Sequence, residues 1–364
     1  MSAPLHTEPR PAGEYSLRGG SVPVYRTSTT RVAKKMPAGY RRRPRLVIFT
    51  LVMVVLVAAF SVALGRVVIG SEDRPNNAAM SVFSPTIDEL MDGPLAPASP
   101  AAEAAFIPIR ANAPVPPPVS ASAYILVDLD SGATLAARDA QARLPVASLT
   151  KIATAMTALR LSGAREPVTV SIDAARAEPN RMGILPGETL TVEELLYGLL
   201  LDSGNDAAAA LAEGLGGEEK FVTAMNELAT EFGLADTHFT NAAGFDGPDN
   251  YSSAYDMAAL ARRLIMDEPL LALIVATPSQ VIESNSEHGW FGPTNLNRLL
   301  TEYPGAFGVK TGRTGEAGYT LIAAAQRDGR RLLVVVLGSE HHFDDAAILL
   351  DFGFSVTEPM VKGG

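Results

Sequence analysis

Leu144-Pro145-Val146-Ala147-Ser148-Leu149-Thr150-Lys151 opens the part of the chain on which the fold turns. From 148 to 161 apolar residues recur at Ile152, Ala155, Met156 and Leu159, the stripe of a helix with one face in a core. Upstream, 124–128 and 134–137 flank Asp130-Ser131-Gly132 and read as a hairpin. Downstream, 192–201, 207–215, 221–232 and 255–266 read as helices. Strand character returns at 306–311, 319–324 and 331–337, and 343–352 closes with a helix. Strands at both ends of a helical middle predict an α+β domain whose terminal strands share one antiparallel sheet beside a helical cluster.

The opening stretch also carries chemistry. A spacing of three places the Ser148 hydroxyl and the Lys151 amine one helical turn apart on one face. Serine is a weak nucleophile until a nearby base takes its proton, and a desolvated lysine beside another cation can serve as that base. Ser148 is expected in the first turn of the helix, where free N–H groups favour a developing oxyanion. This pairing alone is equally a helix start with a solvated lysine. Two further groups change its weight. Ser203-Gly204-Asn205 follows 55 residues after Ser148, between two expected helices, and Lys310-Thr311-Gly312 follows 107 residues later in an expected strand. Three such groups, in this order and these settings, form the recurring motif set of penicillin-interacting serine enzymes.

The surrounding residues extend the match. Leu201-Asp202-Ser203-Gly204-Asn205-Asp206-Ala207, Asn250-Tyr251-Ser252-Ser253-Ala254-Tyr255-Asp256 and Gly308-Val309-Lys310-Thr311-Gly312, leading to Glu316-Ala317-Gly318-Tyr319, accompany the opening stretch. From about 122 to 357 the chain resembles the serine D-alanyl-D-alanine carboxypeptidases, the low-molecular-mass penicillin-binding proteins. The resemblance implies the fold shared by β-lactamases and penicillin-binding transpeptidases. It implies that Ser148 attacks the carbonyl between two terminal D-alanines of a peptidoglycan stem peptide, with Lys151 as base and Ser203 as proton relay. Asn205 would hold the substrate amide, Lys310 supply positive potential, Thr311 bind the terminal carboxylate, and Gly312 admit the substrate backbone. The backbone N–H groups of Ser148 and Arg313 would form the oxyanion hole. Beta-lactam antibiotics would be covalent inhibitors, and no cofactor or metal is implied. Arg313 follows the last motif at a position that varies in the family; its side chain either clamps the terminal carboxylate or faces solvent.

The remaining third of the chain is organised differently. Residues 46–65 run for twenty positions without a charge, enough for a helix of roughly 30 Å, the hydrocarbon thickness of a bilayer. Arg41, Arg42, Arg43 and Arg45 precede it, so the N-terminus should stay inside and the rest cross. The run is longer than the apolar core of a cleaved signal peptide and ends without a small-residue cleavage site, so it reads as an uncleaved signal-anchor. Many relatives have an additional C-terminal β-rich domain and a C-terminal amphipathic anchor; here the N-terminal helix is expected to do the anchoring. Residues 1–45 form a basic head with net charge +8 and no apolar periodicity. Residues 71–120 hold ten prolines and read as an extended tether. Residues 121–357 form the catalytic domain. The expected placement is the bacterial cytoplasmic (inner) membrane, single-pass, with the enzyme outside.

Composition narrows the alternatives. There is no cysteine, which removes disulfide frameworks, thiolate metal sites and a cysteine nucleophile. Residues 120–364 carry a net charge of −15, which argues against nucleic acid as a partner. No G-x-S-x-G elbow is present. His6, His238, His288, His341 and His342 show no metal-ligand spacing, and the 341–342 pair reads as a polar loop. A class A β-lactamase would need a further glutamate after Asn205 in an E-x-x-x-N setting that the sequence lacks. A D,D-endopeptidase cutting cross-links would use the same residues. A non-catalytic penicillin-binding sensor or wall-binding module on this fold need not have kept them all.

Overall fold

The computed structural model describes residues 106–109 and 113–356. β1 (Ala123–Asp128) and β2 (Thr134–Arg138) form the expected hairpin, and a 3-10 turn (Ala147–Thr150) leads into α1 (Lys151–Leu161). The middle comprises β3 (Pro167–Thr169), α2 (Ile172–Ala175), β4 (Thr189–Thr191), α3 (Val192–Leu200), α4 (Asn205–Gly214), α5 (Glu218–Glu231), α6 (Ala254–Asp267) and α7 (Pro269–Ala276). α8 (Leu299–Glu302), β5 (Ala306–Thr314), β6 (Gly318–Arg327), β7 (Arg330–Ser339) and α9 (His342–Ser355) complete it.

The main sheet has the order β2-β1-β7-β6-β5, and every neighbouring pair is antiparallel. β1 pairs with β7 from Ala123↔Leu337 to Asp128↔Leu332, so the first and last strands meet as the α+β reading requires. Alternation on β7 explains its unbroken apolar run. Leu333, Val335 and Leu337 enter the core shared with the central helices, while Leu332, Val334 and Val336 enter the layer beneath α9. A Cβ on Gly353 of α9 would lie 2.7 Å from Leu332 Cδ1 and 2.8 Å from Leu126 Cδ2, so glycine permits this close approach. α1 is buried at every position from Lys151 to Leu159, which makes it the central helix.

Three departures from the sequence reading matter. Ser148 lies in the 3-10 turn, and the α-helical ladder begins only at Lys151. Ala147 immediately before it has φ 51, a left-handed conformation that turns the chain into the nucleophile rather than continuing a helix. α7 has no signal in the sequence pattern because its residues are apolar at nearly every position, so no period marks it; Pro269 supplies a helix start. The stretch read as tether through 120 is docked in part. Phe106 is buried with its ring edge-on to Tyr255 at 5.2 Å, and Ile107 bridges to Ala133. Among the described residues no helix is long and apolar enough to cross a membrane; the head and the 46–65 run lie outside them.

Candidate active site

β5 is an edge strand, and the turn carrying Ser148 packs against it. Strand alternation sends Lys310 and Gly312 to one side of β5 and Thr311 and Arg313 to the other. A Cβ on Gly312 would lie 3.0 Å from Ser148 N, 3.1 Å from Ala147 Cβ and 2.5 Å from Thr320 Oγ1. Only glycine lets the strand and the nucleophile turn approach so closely. Thr320 Oγ1 donates to Val146 O at 3.1 Å and ties β6 to the same turn. Between β5, the 203–205 loop and the 243–245 loop lies a cleft of about 620 Å³. Ser148, Ser203, Asn205, Thr311, Gly312 and Arg313 line it together. Lys151 and Lys310 are buried directly beneath, each at most 1% exposed.

The geometry around Lys151 defines its role. Its Nζ lies 3.0 Å from Ser148 Oγ, 2.7 Å from Asn205 Oδ1 and 2.5 Å from Ala243 O. Burial, reinforced by the charge of Lys310, holds its pKa well below the ordinary lysine range. A neutral amine has two hydrogens and one lone pair. Asn205 Oδ1 and Ala243 O can only accept, so the two hydrogens go there and the lone pair faces the Ser148 hydroxyl. This is the arrangement a general base needs before attack. Lys310 donates to Thr311 O at 2.9 Å. Burial lowers its pKa to about 7, opposed by the nearby Asp202 carboxylate. Burial therefore disfavours the charge on both lysines, and at Lys151 the neighbouring Lys310 disfavours it further.

Asn205 is more engaged than the sequence suggests. Its Nδ2 donates to Glu178 O at 2.9 Å and Pro179 O at 3.1 Å, while Oδ1 accepts from Lys151. One lone pair of Oδ1 is left for a substrate N–H. Ser203 has φ 59, and the loop around it is pinned on both sides: Gly204 N donates to Gly198 O, Asn205 N to Asn180 O and Leu296 N to Leu201 O. Asp206 is fully buried and accepts from the backbone N–H groups of Met182, Gly183 and Ile184 at 2.8, 2.7 and 3.3 Å. It thereby fixes the segment whose carbonyls hold Asn205.

Two groups of residues escaped the sequence reading. The first is 241–245. Asn241 Oδ1 accepts from the N–H groups of Ala243, Gly244 and Phe245 at 3.1, 2.7 and 3.0 Å and folds the loop that offers Ala243 O to Lys151. A backbone carbonyl has no side-chain signature; the only available signal was Asn241 three residues before Gly244, a turn pattern. The second is Tyr319, His342 and Phe343 on the cleft wall. The sequence reads His342 as part of a polar loop; the residue instead opens α9 with its ring stacked on Tyr319 at 4.7 Å. Burial and Arg298 lower its pKa to about 4, so the ring is neutral at physiological pH.

A hydroxyl nucleophile, a buried amine whose charge is disfavoured and a basic strand end at one cleft can carry out acyl transfer on a substrate with an anionic tail. Comparisons with known proteins agree. The family model for Peptidase S11, D-alanyl-D-alanine carboxypeptidase, matches residues 110–341. The D-alanyl-D-alanine carboxypeptidase DacB2 of Mycobacterium tuberculosis is 39% identical over 244 residues, covering 65% of this chain and 83% of that protein. DacF of Bacillus subtilis, a D-alanyl-D-alanine carboxypeptidase, is 38% identical over 253 residues, covering 66% of this chain and 64% of that protein. The crystal structure of a D-alanyl-D-alanine carboxypeptidase from Mycobacterium tuberculosis superposes with a TM-score of 0.64 at 37% identity, covering 69% of this chain and 97% of that one.

Proposed function

The chain belongs to the Peptidase S11 family of D-alanyl-D-alanine carboxypeptidases, and from that premise we propose how its cleft hydrolyses the terminal D-Ala-D-Ala bond of peptidoglycan stem peptides. Ser148 Oγ attacks the carbonyl carbon between the two D-alanines while the neutral Lys151 amine takes its proton. The carbonyl oxygen becomes an oxyanion between the backbone N–H groups of Ser148 and Arg313, which the missing Cβ of Gly312 brings close. The C–N bond then breaks as the proton taken up by Lys151 is relayed through Ser203 to the leaving D-alanine amine, which leaves Lys151 neutral again and an ester on Ser148. Water attacks that ester, the proton it loses returns through Lys151, and Ser148 regains its hydroxyl.

Binding follows from the same geometry. The terminal carboxylate lies against Thr311 in the field of Lys310, and Arg313, exposed on the same strand face, clamps it. Asn205 accepts the substrate amide N–H with its remaining lone pair. Beta-lactams, which carry a strained amide and a carboxylate, acylate Ser148 by the same first step. The observation that carries this reading is the Lys151 amine held between two pure acceptors with its third contact on Ser148 Oγ.

The cell-envelope placement rests on sequence. Twenty uncharged residues at 46–65, four arginines before them and a proline-rich stretch after them support an inside N-terminus, one membrane crossing and an enzyme outside the cytoplasmic membrane. Protease accessibility of the catalytic domain in spheroplasts tests this. The reaction is tested by incubating the full chain with purified muropeptides, with and without penicillin, and weighing the products. Loss of one D-alanine from pentapeptides, blocked by penicillin, is expected. Conversion of cross-linked dimers to monomers alone would replace the carboxypeptidase by an endopeptidase.

A further inference from the structure

Arg313 pairs directly across the strands with Tyr319 of β6. Its guanidinium lies 5.0 Å from the Tyr319 ring centroid. Tyr319 is stacked on His342 at 4.7 Å with the planes 4° apart, and the His342 ring contacts Phe343 at 4.0 Å. The Arg298 guanidinium lies 4.6 Å from the Phe343 centroid and is itself held by Glu302 at 3.2 Å and Asp344 at 3.8 Å. The row therefore runs from ion pairs at the mouth of α9 to a cation on the catalytic strand. Among the described residues no carboxylate pairs with Arg313.

We propose that Tyr319, backed by His342, is a positioning residue that holds the Arg313 guanidinium beside Thr311 for the substrate's terminal carboxylate. A free arginine side chain samples many rotamers, and each must be given up when it grips a ligand. A ring that attracts the cation removes part of that loss before binding, and a rigid ring does so better than a mobile one. Stacking on His342 supplies the rigidity. The imidazole is neutral at physiological pH, so it places no like charge between Arg313 and Arg298, and Asp344 and Asp345 are the acids that face it. Thr311 and Arg313 are two positions apart on β5, so their side chains share a face and can converge on one carboxylate.

The proposal rests on the D,D-peptidase reading, and the test separates the two. Full-length wild type, Arg313→Ala, Tyr319→Leu, His342→Leu and the Arg313→Ala/Tyr319→Leu double variant are assayed on an N-acylated D-Ala-D-Ala peptide and on its C-terminal amide. Tyr319→Leu is expected to raise KM for the free acid by roughly fivefold with kcat within twofold, and His342→Leu to raise it less. Tyr319→Phe, which keeps the ring, should restore the wild-type KM. Release from the amide should be unchanged by Tyr319→Leu and by His342→Leu. In the Arg313→Ala background, Tyr319→Leu should add nothing, because it acts only through the guanidinium. Multiplying effects in the double variant, a kcat loss without a KM change, or an unchanged KM in Arg313→Ala would each overturn the positioning role. Wild-type protein that no fluorescent penicillin labels would instead overturn the D,D-peptidase reading beneath it.

Discussion

Gly244→Ala should damage catalysis far more than its single methyl group suggests. Gly244 has φ +87, and a Cβ there would lie 2.0 Å from Ala147 O and 2.6 Å from Ala147 C, both backbone atoms. Ordinary contact begins at 3.4 Å, so the two segments must part by more than about 1 Å. One of them carries Ser148 next in sequence, and the other offers Ala243 O, which holds Lys151. Displacements of about 1 Å between reacting groups cost roughly 10²-fold in rate. Left-handed strain of about 1–2 kcal/mol on an alanine adds to the loss of stability. Together with the imperfectly relieved clash, about 2–3 kcal/mol corresponds to a Tm fall of roughly 5–10 °C for a domain of this size. Stopped-flow acylation by a fluorescent penicillin, with a thermal melt on the same sample, separates the two effects. Acylation should slow by about 10²-fold at a temperature where the variant is fully folded. Gly247→Ala, whose Cβ would meet nothing closer than 3.8 Å, should acylate at the wild-type rate. Acylation of folded Gly244→Ala within threefold of wild type would refute the placement of Lys151 by this loop.

The pH dependence of kcat/KM should be bell-shaped, because Lys151 must be neutral and Lys310 charged. The alkaline limb falls as pH rises through about 7, where Lys310 loses its proton, and Asp202→Asn should move that limb to lower pH by removing the carboxylate that holds the proton on. Asp206→Ala leaves three loop N–H groups without their acceptor and should cost about 3 kcal/mol by chemical denaturation, with a fall in kcat because Glu178 and Pro179 no longer hold Asn205. Asp345 is nearly buried and accepts from Ser120 N, Ser120 Oγ, Ala121 N and Ser339 Oγ, which hold its carboxyl below the usual value of 3.8 against the opposing effect of burial. Its contribution is present above pH 3.8 and is lost as pH falls through the depressed value; Asp345→Asn should remove that acid dependence from the stability curve while leaving neutral-pH acylation unchanged.

Much of this architecture is visible in the sequence because it rests on periodicity. The apolar runs of β7 and α1 follow from burial between two layers and at the centre of the helices, and they bring the turn carrying Ser148 against the edge strand that carries Lys310. The three motifs were legible because each depends on side chains that no backbone can replace. What stayed hidden rests on the backbone or on position. Ala243 acts through its carbonyl and Gly244 through the absence of a Cβ, so neither residue type advertises its role. The 3-10 turn at Ser148 is set by Ala147 at φ 51, a conformation for which alanine has no propensity and which tertiary contacts with Gly312 and Gly244 impose. His342 joined the cleft wall because α9 starts beside β6, a fact of sheet topology that a local window cannot contain. Asn205 lines the cleft, and its bonds to Glu178 and Pro179 come from a loop with no recognisable pattern.

The mechanism turns on Ser148 as the nucleophile and Lys151 as the base that activates it. The most direct test is to treat the full chain with benzylpenicillin, digest it and locate the adduct by mass. One adduct, with the mass of the intact antibiotic, is expected on the peptide carrying Ser148. Ser148→Ala should show none, and Lys151→Ala should acquire it at least 10³-fold more slowly, as expected when a general base is lost. An adduct on another residue, or undiminished labelling of Ser148→Ala, would contradict it.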